Sequence, residues 1–208
     1  MHDGPKNFTI FCKNILPEYF KNIKVLDVGS GDINGNNRFL FENCEYHGND
    51  VIDAPNVTIV SKTKDLKFEN NYFDVIISTE CFEHDPEYKQ SFEKIYNMLK
   101  PNGLFIFSCA STGRKEHGTR RTSINDSYGT IAQLEDMQDY YKNLTEKDLN
   151  EVLNLKTLFS KYDTYFNKLY CDLYFVGIKK DNLDNLTINN LSTFTDENNI
   201  IKTTANII

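Results

Sequence analysis

No cysteine of the chain stands in a C-x-x-C pair, no apolar run approaches the length of a membrane span, and cationic side chains are outnumbered by acidic ones. Cys12, Cys44, Cys81, Cys109 and Cys171 are odd in number and widely scattered, which gives neither the spacing of a zinc site nor a disulfide framework. They read as small buried hydrophobes in a reducing compartment. The missing apolar run excludes a membrane-spanning helix, and MHDGPKNFTI lacks the charged-then-apolar build of a signal peptide, so the expectation is a soluble, cytoplasmic chain. With 23 Lys and Arg against 30 Asp and Glu, the net charge of −7 argues against a surface that neutralises nucleic-acid phosphates.

What is present suffices for one domain with an appendage: 208 residues, 39% of them apolar, can bury a core on both faces of a sheet. Residues 1–22, with Phe8, Phe11, Ile15 and Phe20 as anchors and Pro17 interrupting any single long helix, read as an N-terminal helical lid or brace. The main domain then covers residues 23–180. Short apolar runs at about 24–28, 45–50, 57–61, 73–79 and 103–109 read as strands. Between the last two, Phe92, Ile95, Tyr96 and Leu99 fall on one helical face, and Pro101-Asn102-Gly103 ends that helix. Strand and helix in alternation give a parallel sheet. A long polar loop at about 110–140 follows, then a capping box opening at Thr145 with Asp148, and a final antiparallel pair of edge strands from Leu158-Phe159 and Tyr170 to Ile178. The tail, residues 181–208, is polar, but Ile200, Ile201, Ile207 and Ile208 favour docking on the domain or on a second copy, as in a homodimer.

The densest signal is VLDVGSGDING at residues 25–35, an apolar run that empties into glycines, with the acidic Asp50 nineteen positions after Gly31. Glycine lets a backbone come close to a ligand, and an acid at a second strand end can grip both hydroxyls of a ribose. The pair points to an adenosine-containing cofactor. A dinucleotide fingerprint beginning at Gly29 requires a glycine where Asn34 stands, which disfavours NAD and FAD. A cationic cofactor would instead profit from a carboxylate such as Asp27. S-adenosyl-L-methionine fits that description.

Four stretches stand in order along the chain: VLDVGSGDING, YHGNDVIDAPNV, FDVIISTECFEHDP and MLKPNGLFIFSC. On these the chain, from Val25 to about Lys180, resembles the class I S-adenosylmethionine-dependent methyltransferases of the type 11 kind. The resemblance implies an α/β, Rossmann-like three-layer sandwich with a seven-stranded, mostly parallel sheet carrying an antiparallel edge strand. It implies that Asp27, Gly29, Ser30 and Gly31, in the turn between the first strand and its helix, hold the methionine end of the donor. Asp50 would take the ribose, Val51 one face of adenine, and Leu66 would pack on or under the ring. Ser78, Thr79 and Glu80 would approach the methionine amine. One position departs from the family: Lys62 stands where relatives often place an acid for the adenine amino group, which leaves backbone groups, Thr63 or Asp65 for that task.

Methyl transfer from a sulfonium needs alignment more than catalytic groups, so proton removal from the acceptor is the remaining chemistry. His84, following the fourth strand, and His117, in the long loop, are the candidate general bases. The structural alternative for His84 is a hydrogen bond to Glu83 or to backbone. Arg114, His117, Arg120 and Arg121 form a group suited to a hydroxyl-rich or anionic small acceptor, with Tyr128 and Tyr140 offering flat faces for a sugar ring and Asp126 and Tyr141 in the same stretch. Glu83-His84-Asp85 carries metal-capable side chains, but three consecutive residues rarely point at one centre, so no metal is expected. The reading is an enzyme that methylates oxygen on a small polar acceptor such as a sugar or glycan terminus, with no nucleic-acid or membrane partner. Transfer to the nitrogen of an amino sugar or other small metabolite, and a non-catalytic binding module, are the alternatives.

Overall fold

A computed structural model of the protein describes residues 2–181 and, for backbone only, 200–205. Its frame is a single sheet of eight strands, β1 (Lys24–Val28), β2 (Glu45–Asp50), β3 (Ile59–Val60), β4 (Phe73–Thr79), β5 (Leu99–Ala110), β6 (Phe159–Asn167), β7 (Asp172–Lys179) and β8 (Ile200–Ala205). They lie in the order β3-β2-β1-β4-β5-β7-β6-β8. The first five run parallel to one another, and β7 pairs antiparallel to both β5 and β6. The seven-stranded Rossmann-like sandwich expected from the sequence is therefore present, and a tail segment extends it, since β8 pairs antiparallel with β6. Ile207 and Ile208 lie outside the described residues.

The central strands are apolar at nearly every position because both faces of the sheet are covered. β7 is buried from end to end, and β5 from Gly103 to Ala110. On one face, α1 (Asp3–Ile15) packs Phe8 and Cys12 against Val25, Val75 and Tyr174. On the other, α2 (Tyr88–Met98) turns Phe92, Ile95 and Met98 toward Ile76, Phe105 and Phe107. Asp85 starts α2 by accepting hydrogen bonds from the Glu87 amide at 2.8 Å and the Ser91 hydroxyl at 2.5 Å. After α3 (Tyr128–Ile131), α4 (Glu146–Val152) opens with the reciprocal Thr145–Asp148 capping box read from the sequence, and α5 (Leu155–Leu158) leads into β6.

Two local expectations change. Pro101-Asn102-Gly103 does not end a helix: α2 stops at Met98, and the triplet lies inside β5, where the register with β4 shifts between Phe73 and Val75 and Asn102 takes φ of 59°. That break is a bulge, which tolerates a proline because pairing is already interrupted. Nor does a full helix follow the first strand. Between β1 and β2 the only helical segment is the three-residue 3-10 turn Arg38–Leu40. Asp32, Asn34, Gly35, Asn36 and Asn37 crowd this segment, and side chains of this type bond locally instead of continuing a helix. Gly35 N–H and Asn36 Nδ2 both donate to the Asp32 carboxylate at 2.7 Å.

Candidate active site

From β1 the chain moves outward to β2 and β3, then returns to β4 on the other side of β1. Strand ends diverge at such a reversal and leave a crevice on their carboxyl side. A cavity of about 460 Å³ lies there, bounded by the turn after β1, the ends of β2 and β4, the loop after β5 and the N-terminal His2.

The turn is shaped by close approaches. Gly29 takes φ of +68°, and a Cβ there would stand 2.5 Å from Cys81 Sγ. A Cβ on Gly31 would fall 2.1 Å from the Tyr128 ring and 2.8 Å from Asp50 Oδ2. Asp50 accepts from the Gly31 amide at 2.9 Å and from the Val51 amide at 2.8 Å, so the second strand end is stitched to the turn. Burial pushes its carboxyl above the ordinary range, against those two amides. Asp27 is buried beneath, accepting from Asn37 Nδ2 at 3.0 Å and from the Tyr46 hydroxyl. Burial raises its pKa to about 6, with Tyr46 and Asn37 holding it back. Asn37 Oδ1, also buried and lining the cavity, has no hydrogen-bond partner among the described residues. A carbonyl so placed accepts from a donor brought by a ligand.

At the end of β4, Glu80 turns into the left-handed region, with φ of 54°. Its carboxylate accepts from the Ser108 hydroxyl at 2.8 Å and stands 3.2 Å from His2 Nε2. His2 also lies 3.1 Å from Asp172, and Arg114 closes the group by donating to Asp172 at 3.2 Å and to the Tyr170 carbonyl at 2.7 Å. Burial works against the Glu80 charge, but His2, Ser108 and Arg114 together hold its pKa below the usual range. Burial pushes Asp172 up to about 6.

On the opposite wall, His84 and His117 meet edge to face with ring centroids 5.0 Å apart, and Tyr141 packs against both. Gly118, at φ +67°, permits this: a Cβ there would stand 2.5 Å from His84 Cε1. Burial, aided by the nearby His117, lowers His84 to a pKa of about 3, so its ring is neutral and weakly basic. His84 makes no hydrogen bond to Glu83. Nδ1 of His84, the Tyr141 hydroxyl and both carboxylate oxygens of Glu83 are buried without side-chain hydrogen-bond partners among the described residues. Burial and the Glu80 charge push Glu83 well above the carboxylate range.

Of the residues singled out from sequence, Asp27, Gly29, Ser30, Gly31, Asp50, Val51, Thr79, Glu80, His84, Arg114, His117 and Tyr128 line this one cavity. Five do not. Leu66 is core, packed among Phe73 and Phe92. Ser78 points into the sheet, its hydroxyl bonded to the Val28 carbonyl at 2.8 Å. Arg120 is exposed and paired with Asp139, Arg121 is exposed and paired with Glu116, and Tyr140 stands outside the lining. Lys62 reaches the cavity, but its ammonium is engaged by Glu87 at 3.0 Å and by Asp136. Thr63 lines the wall, bonded to Asn49 at 3.2 Å, whereas Asp65 stands outside the lining beside Lys64. Sequence reasoning passed over Asn37, Tyr46 and His2, whose partners lie between 10 and 170 positions away and leave no local pattern.

Residues 26–107 match the family model described as a methyltransferase domain. Phosphoethanolamine N-methyltransferase 2 of Caenorhabditis elegans is 33% identical over 54 residues, which is 26% of this chain and 12% of that protein. Among solved structures, the Haemonchus contortus phosphoethanolamine N-methyltransferase 2 in complex with phosphomonomethylethanolamine and S-adenosylhomocysteine superposes with a TM-score of 0.58 at 19% identity, over 85% of this chain and 53% of that one. The Burkholderia thailandensis 1,6-didemethyltoxoflavin-N1-methyltransferase with its substrate and S-adenosylhomocysteine gives 0.54 at 16% identity, over 87% and 92%. This chain thus spans about half the length of the nematode structure and a small part of the curated relative. At these identities the structural likeness is one of fold.

Proposed function

We propose that this chain is a class I S-adenosylmethionine-dependent methyltransferase and that it transfers a methyl group to an oxygen of a small, uncharged polar acceptor, such as a sugar or a glycan terminus. The observation that carries the donor assignment is the wall formed by Asp27, Asn37 and Asp50: one buried carboxylate, one half-buried carboxylate and an unpartnered carbonyl at one cavity. That set suits a ligand bearing an ammonium, a sulfonium and a ribose. Asn37 Oδ1 and Asp27 would hold the amino acid end, Glu80 would add charge from the side of β4, and Asp50 would hold the ribose hydroxyls. When bound, S-adenosylmethionine supplies a methyl carbon already activated by positive sulfur. His84 and His117 line the same cavity and would act at the acceptor oxygen.

The acceptor reading follows from charge. Arg114 and Lys62, which line the cavity, and Arg120 and Arg121 outside it are each paired with a carboxylate of the chain itself, which leaves Lys115 as the lining lysine without an ion pair among the described residues. A neutral acceptor rich in hydroxyls fits the polar lining better. A second reading, transfer to the nitrogen of an amino sugar or another small metabolite, takes its support from the 54-residue match to a phosphoethanolamine N-methyltransferase.

Calorimetric titration with S-adenosylhomocysteine tests the donor site. Binding is expected in the unaltered chain, and Asp50→Ala should weaken it by ~10–100-fold, the equivalent of ~1.5–3 kcal/mol for hydrogen bonds to a charged group. Uptake of NAD in place of S-adenosylhomocysteine, or indifference to the substitution, would remove the assignment. Incubating the chain and methyl donor with sugars, nucleotide sugars, glycan fragments and amino sugars, then locating the methyl by NMR, separates oxygen from nitrogen. No turnover on any acceptor of these classes would favour a non-catalytic binding module.

A further inference from the structure

We propose that Glu83, His84 and His117 form a binding site for one divalent transition-metal cation of the imidazole-preferring kind, such as zinc or cobalt. Glu83 and His84 come from the short 3-10 turn Phe82–His84 behind β4, and His117 is brought beside them by the long loop. One ligand atom from each lies within 4.8 Å of the other two. Metal–ligand bonds of ~2.0–2.2 Å place ligand atoms ~3.4 Å apart in a tetrahedral centre, so shortening the separations by up to ~1.4 Å completes the geometry.

The Glu83 side chain is fully buried, and no side-chain group pairs with its carboxylate; only the Glu83 and Ala110 backbone amides are near enough to steady it. Burying a carboxyl in that state is costly unless a cation or a proton accompanies it. Nδ1 of His84 is likewise buried and unpartnered. His117 Nδ1 lies 3.1 Å from the Lys115 carbonyl, the outer contact that fixes a ligating histidine with its other nitrogen facing the metal. Three groups of suitable type thus converge without satisfying one another. The neighbouring His2–Glu80–Asp172 cluster is different, because Arg114 supplies its cation.

Two nitrogens and one carboxylate oxygen are a ligand set for zinc, cobalt or iron and a poor one for magnesium or calcium. His84 and His117 line the cavity, so the fourth coordination position opens into it. The site stands on its own geometry, whereas its role rests on the function proposed above. There the cation would hold the acceptor oxygen, and an acceptor hydroxyl bound to it would release its proton to solvent near neutral pH and attack the methyl carbon as an alkoxide. The two histidines would then act through the cation, not by taking the proton themselves. The sequence offered only three adjacent residues; the third ligand comes from a loop 33 positions further on.

The test is a Co²⁺ titration of the tag-free full chain after chelator treatment, followed by ligand-field absorption and by calorimetry. One Co²⁺ per chain is expected. His117→Ala, at a partly exposed loop position, and Glu83→Gln should each weaken it by more than the ~10–100-fold that loss of an outer contact costs. Arg120→Ala, outside the site, should leave it unchanged. S-adenosylhomocysteine binding, measured on the same samples, should persist in all variants; its absence would overturn the donor assignment while leaving the metal result intact. Absence of Co²⁺ uptake, or uptake indifferent to His117→Ala, would overturn the metal site and return Glu83 to a protonated, buried acid.

Discussion

Replacing His2 with glutamine should lower stability at about pH 7 and scarcely at all at about pH 10. Nε2 of His2 stands between Glu80 and Asp172, at 3.2 and 3.1 Å, and its ring packs on Tyr170 with centroids 4.5 Å apart. Burial alone would lower the pKa of this ring, but hydrogen bonds to Asp172 and Glu80 outweigh it and raise it from 6.5 to about 9. Such a rise is worth ~3 kcal/mol at about 1.4 kcal/mol per pKa unit. With 26% of the side chain exposed, solvent screening reduces this to ~1–2 kcal/mol. A folded-state pKa above the unfolded one means that the contribution is complete below about pH 6.5 and is lost as pH rises through about 9. Urea unfolding of the two proteins at the two pH values measures the gap, and NMR titration of the ring measures the pKa directly. A gap equal at both pH values, or a ring that titrates near 6.5, would refute the reasoning.

Gly31→Ala places a methyl 2.1 Å from the Tyr128 ring and 2.8 Å from Asp50 Oδ2, so the ring must swing away; a stability loss of ~1–3 kcal/mol and weaker S-adenosylhomocysteine binding are expected from thermal melts and calorimetry. Phe107 is fully buried, with Phe82, Phe92 and Phe175 rings 5.3–5.4 Å away, so Phe107→Ala should cost ~3–5 kcal/mol in denaturant titrations, with the fold retained by circular dichroism.

The parallel half of the sheet could be read from sequence because a strand covered on both faces is apolar nearly throughout, and VII at 75–77 and GLFIF at 103–107 are such runs. The segment after β1 could not, since a helix is expected there by analogy and only the density of Asp and Asn argues against it. The wall of Asp27, Gly31 and Asp50 was legible for a related reason: glycines and acids at strand ends are placed by the backbone and reach the cavity from there. The wall around His84 and His117 depends on who pairs with whom. Arg120 and Arg121 lie close to His117 in sequence, yet Asp139 and Glu116 draw them to the surface. Ser78 follows the alternation of its strand and faces Val28, one position short of the cavity-lining Thr79.

The turn after β1 runs into a three-residue 3-10 segment where a long helix would otherwise begin. A full helix would aim about half a positive elementary charge at the turn, the feature that draws in pyrophosphates. Without it, the local potential is set by the carboxylates of Asp27 and Asp50. On the function proposed above, such a crevice would favour nucleotide ligands that carry a positive centre over those linked through phosphates.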